Sequence, residues 1–154
     1  MCTKCFLAMA GAAILTCVPM KADAGEVPSF LAGGQVYATT PEACKGLDAG
    51  GDESGGLKLK ADGISGYEFG CQFVDFIPVR YVDVPEVTRY IAIASCGDDS
   101  GITRPDMIDL SIFDDAVTAT SQNDYNYAMS RLDASSDNDP FEAGIINEQF
   151  ALCR

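Results

Sequence analysis

The chain has 154 residues, with 10 Lys and Arg against 23 Asp and Glu, seven cysteines and no histidine, for a formal charge of −13. Without histidine, Ser-His-Asp and Cys-His catalysis are excluded, and the commonest ligand of zinc and copper is missing. The acidity argues against nucleic acid and anionic lipid as partners, since both are bound through clustered Lys and Arg.

The chain opens with an export signal over residues 1–24. Lys4 supplies a small positive charge, an apolar stretch runs from Phe6 to Met20, and Ala22-Asp23-Ala24 offers the small-x-small pattern of a cleavage site. The apolar stretch is too short for a membrane span, and no later stretch supplies the ~18 apolar residues one needs. Thr16 fits poorly the small residue that a lipoprotein signal carries before Cys17, which disfavours a lipid anchor. Cleavage before Gly25 removes Lys4, Lys21 and Asp23, leaving 8 basic and 22 acidic residues on a single domain over 25–154. The implied location is the bacterial periplasm or the extracellular medium.

Apolar–polar alternation dominates this domain, the period of half-buried strands. Gln35–Thr39 is the first strand candidate. Thr40-Pro41-Glu42-Ala43-Cys44-Lys45-Gly46 then predicts one short helix, with Thr40 as N-cap and Pro41 at the first helical position. Asp48–Gly56, with four glycines and three acids, reads as a surface loop. Leu57–Lys60 alternates, and Asp62-Gly63 is a hairpin turn signal. In the returning strand Tyr67, Phe69, Cys71 and Phe73 are expected on one core face. Thr88–Cys96 reads as a central strand, followed by Met107–Phe113 with Ile108, Leu110 and Ile112 inward. Asp114-Asp115 turns the chain into Ala116–Ser121, and Tyr125, Tyr127 and Met129 continue the period of two. Asp133–Gly144 reads as a polar loop, and Gln149–Cys153 as the closing strand. The pattern predicts an all-β fold, a small antiparallel sandwich or barrel of about seven to nine strands.

Three cysteines lie in the signal, and Cys44, Cys71, Cys96 and Cys153 remain. An even number in an exported chain reads as two disulfides. Sequential pairing, Cys44–Cys71 and Cys96–Cys153, is the expectation because each bridge then closes within one half of the chain.

No catalytic or cofactor site emerges. Asp99-Ser100-Gly101 resembles the Asp-Ser/Thr-Gly loop of aspartic proteases, but one copy cannot pair two carboxylates. Asp137, Asp139 and Glu142 cluster oxygen donors in the second polar loop and are the calcium candidates, although their spacing is not that of an EF-hand. In being small, exported, acidic, β-rich and disulfide-tied, the chain resembles the periplasmic inhibitors of c-type lysozyme. Ser65-Gly66-Tyr67 is similar to the short Ser-Gly-x-x-Tyr type of loop in those inhibitors, over three residues and with different spacing. The resemblance implies an envelope binding or inhibitor protein, not an enzyme, directed at a cationic protein such as a lysozyme-type hydrolase. The alternatives are a structural accessory protein of the envelope and a hydrolase that uses carboxylates alone.

Overall fold

A computed structural model describes residues 25–45, 56–83, 86–98, 100–133 and 144–154. The proposed signal, most of both polar loops and Asp99 fall outside the described residues.

Eight antiparallel strands close into a barrel in strict chain order. They are β1 (Tyr37–Ala38), β2 (Lys58–Lys60), β3 (Gly63–Gly66), β4 (Phe69–Pro78), β5 (Arg89–Asp98), β6 (Thr103–Phe113), β7 (Ala116–Ser121) and β8 (Glu148–Leu152). Between sandwich and barrel the answer is barrel: Tyr37 pairs with Leu59 of β2 on one side and Leu152 of β8 on the other. Closure leaves no free sheet edge.

The interior is filled by side chains. Leu59, Ile64, Ile108, Leu110, Val117 and Phe150 are fully buried, and Ala92 and Ala94 leave room for them on β5. An apolar, packed interior is the reverse of a membrane-spanning barrel, whose lumen is polar and whose outer band is apolar. No helix among the described residues is long and apolar enough to cross a membrane.

The aromatic face of β4 is shorter than its alternation predicts. Glu68 adopts a left-handed conformation, φ 57°, in the β3–β4 turn, so Tyr67 leaves the core face and is 57% exposed. Further along, the register slips between Phe73 and Asp75, a bulge at Val74. The extra residue re-phases the strand, so that Phe76 rather than residue 75 follows Phe73 inward. Their rings meet edge to face with centroids 5.1 Å apart.

The disulfides join Cys71 to Cys96 and Cys44 to Cys153, and this overturns the sequential pairing. Cys71 on β4 and Cys96 on β5 face one another directly in the antiparallel register. Cys44 lies in helix α1 (Pro41–Lys45), beside β1, and closure of the sheet between β1 and β8 carries Cys153 to it, the Cys153 N–H donating to the Val36 carbonyl at 2.9 Å. Strand register, not distance along the chain, chooses the partners. Thr40 does cap α1, accepting the Ala43 N–H at 3.2 Å.

A second helix departs from the alternation pattern. Residues Gln122–Asp133, which include Tyr125, Tyr127 and Met129, form α2 rather than a strand.

At the end of the barrel where β4 passes to β5, the segment before β1 folds across the opening. Phe30 packs on Tyr37 and Tyr90, at 6.1 and 5.9 Å between centroids, and Leu31 is fully buried. The Tyr37 hydroxyl donates to the Phe30 carbonyl at 3.2 Å. Burial, and then the negative charge of Asp115, raises the pKa of Tyr37 above the usual phenolic value.

Candidate binding site at the open end of the barrel

The opposite end gathers the β3–β4 turn, the β5–β6 hairpin and the start of α2, because all three connections lie on the same side of an antiparallel barrel. Its geometry is set by one polar network. Ser121, the last residue of β7, is the N-cap of α2 and accepts the Asp124 N–H at 3.0 Å. Its hydroxyl donates to the buried carboxylate of Asp106 at 2.6 Å. Asp106 also accepts the Asn123 N–H at 3.2 Å, which places a negative charge at the positive end of the helix. Asp124 in turn accepts the Ile145 N–H at 2.8 Å. A side chain on Gly144 would meet that carboxylate and push it from its place, so glycine here leaves room for the Asp124–Ile145 hydrogen bond.

Beside this network lies an open recess of about 480 Å³, lined among others by Phe69, Cys96, Asp98, Arg104, Asp106 and Asp124. Asp98 is exposed, and its carboxyl is held below the usual carboxylate range by the hydroxyl and N–H of Ser100, with the charge of Arg104 adding to the effect. Among the described residues of the lining, Arg104 is the cation against the carboxylates of Asp98, Asp106 and Asp124. A second groove of about 500 Å³ runs over the outer face of β3, β4 and β5, where Gly70 and Gly97 leave the sheet bare between Lys60, Asp62 and Gln72.

Apolar side chains stand in solvent around the same end. Ile102, which lines the recess, is 61% exposed, and Tyr67 is exposed on the β3–β4 turn at the same end. Tyr125, Tyr127 and Met129 of α2 are exposed as well. Large apolar side chains are exposed at the other end as well, Tyr81, Val82 and Phe113 among them, so what sets this end apart is the charged recess beside them.

Ser65-Gly66-Tyr67 is placed at this end, Ser65 and Gly66 closing β3 and Tyr67 in the turn beyond it. Ser100 and Gly101 of the protease-like tripeptide form the β5–β6 turn, while Asp99 lies outside the described residues. Asp137, Asp139 and Glu142 also lie outside them, and among the described residues no group of three acids or cysteines could hold a metal ion. Reading the sequence missed Asp98, Asp106, Ser121 and Asp124. A usable signal existed: Ser121 followed three residues later by Asp124 is the spacing of a helix N-terminus.

Comparison with protein-family models, curated proteins and solved structures finds no match for this chain.

Proposed function

We propose that this is an exported envelope protein that binds, and through binding inhibits, a cationic protein at the open end of the barrel, a lysozyme-type hydrolase being the type of partner. The observation that carries the reading is the coincidence of an acidic recess, lined by Asp98, Asp106 and Asp124, with exposed Ile102 in its lining and exposed Tyr67 at the same end. Apolar anchors give a complex its lifetime, and opposite charge speeds the encounter. Export is supported by the signal-like residues 1–24 and by the engagement of all four remaining cysteines in disulfides.

The test is association kinetics against a c-type lysozyme as cationic probe, with an acidic protein of similar size as control. At physiological salt the Debye length is ~8 Å, so exposed charges are largely screened. The association rate should fall steeply from low to moderate salt while dissociation changes less. A lysozyme that does not bind removes that partner type. A rate indifferent to salt, or equal binding of the acidic control, assigns the open end to a structural accessory role.

A further inference from the structure

We propose that export processing completes the fold, because cleavage before Gly25 creates an ammonium group that Asp75 is already placed to hold. The Gly25 nitrogen donates to Asp75 Oδ1, and the same oxygen accepts the Phe76 N–H at 2.8 Å. Asp75 directly follows the Val74 bulge, the irregularity that re-aims the strand at this point. A Cβ on residue 25 would collide with both the Phe76 carbonyl oxygen and Asp75 Oδ1, so this contact admits glycine alone. Residue 25 is also the residue that comes after Ala22-Asp23-Ala24, the small-x-small pattern of a cleavage site. Two independent requirements, one of a peptidase and one of the strand, therefore meet at a single position.

The chemistry is hydrolysis. Water adds across the Ala24–Gly25 amide under an envelope endopeptidase that accepts small residues, leaving a carboxylate on Ala24 and an amine on Gly25. That amine has an ordinary pKa of ~7.7–8.0 and takes up a proton at neutral pH. The amide N–H that donates to the Asp75 carboxylate becomes an ammonium N–H, so a hydrogen bond with one charged partner becomes an ion pair with two. The consequence is that the processed chain is more stable than the same barrel carrying even one extra residue.

The inference rests on the export reading, and its test separates the two. All eight strands and both disulfides lie within residues 25–154, so the processed chain closes its own barrel. The full chain, expressed in a bacterial host and recovered from the envelope, should begin at Gly25 by intact mass and N-terminal sequencing. A first residue other than Gly25 overturns the inference and leaves export standing; retention of residues 1–24 overturns both. Equilibrium unfolding is then compared for chains beginning at Gly25 and at Ala24. The extra residue should lower the folding constant roughly two- to fivefold, the contribution of a partly exposed ion pair. In Asp75→Asn the two N-termini should become indistinguishable, and a penalty that persists there overturns the ion pair. Should Asp75→Asn not fold, acetylating the amino group of the Gly25 chain keeps the N–H and removes the charge. The same loss is expected, and no loss overturns the proposal.

Discussion

Where β4 gives way to β5, the barrel is closed by rings: Phe30 lies across Tyr37 and Tyr90, and Leu31 is sealed beneath. At the opposite end the closure is polar, running from Asp106 through Ser121 to Asp124, and aromatic groups are left outside it. Burying an apolar ring stabilises a fold without regard to direction, whereas a hydrogen-bonded carboxylate stabilises only the geometry it was built for. The first end is suited to holding the chain together. The second positions a helix and two turns at an accessible surface, the place proposed above for a partner.

The two disulfides extend this contrast, and breaking them should give the largest effects. Cys44–Cys153 closes 109 residues and ties the seam between β1 and β8, while Cys71–Cys96 closes 25 within neighbouring strands. In the chain-entropy model the longer loop contributes about 5 kcal/mol and the shorter about 3–4 kcal/mol. Replacing both cysteines of each pair with Ala, and measuring denaturant midpoints, should therefore rank the long bridge first. Non-reducing peptide mapping should recover 44–153 and 71–96 and no sequential pair.

Next come the aromatic residues. Phe150 is fully buried, and Phe150→Ala should cost about 3–5 kcal/mol. Phe69, half-buried beside the recess, should cost about half as much when truncated. Equal losses in thermal or denaturant unfolding would erase the distinction between a packed interior and an open end.

A smaller effect is expected of Ser121→Ala, about 1–3 kcal/mol, since it removes the cap of α2 and one partner of buried Asp106. The loss should be local, with hydrogen exchange rising in α2 before it rises in β5. Uniform exchange across the barrel would mean that α2 unfolds only with the whole.

How far the sequence reveals this molecule depends on which forces act locally. Strands with one buried face announce themselves: Ala116–Ser121 occupies the residues its alternation marks, and Ile108 and Leu110 point inward as their spacing requires. Asp114, in a left-handed conformation between β6 and β7, confirms a turn legible from Asp114-Asp115 alone. α2 is hidden because its residues fit two periods at once. Tyr125, Ala128, Met129 and Leu132 stand at helical spacing, while Tyr125, Tyr127 and Met129 alternate as a strand would. The disulfide partners and the recess depend on register and closure, which bring Cys71 opposite Cys96 and Asp106 beside Ser121. Such long-range facts leave no trace in local periodicity.

The most direct test of the account compares substitutions at the two ends against the same cationic probe. Asp98→Asn and Tyr67→Ala change exposed residues at the open end, and each should leave the unfolding transition essentially where it is. Asp98→Asn should slow association at low salt, and Tyr67→Ala should hasten dissociation. At the ring-closed end Tyr37→Phe removes a hydrogen bond and lowers stability by about 1 kcal/mol, and it should leave both rates unchanged. Binding that is insensitive to Asp98 and Tyr67, or that is lost with Tyr37→Phe in a protein still folded, would contradict the assignment of the partner to the open end.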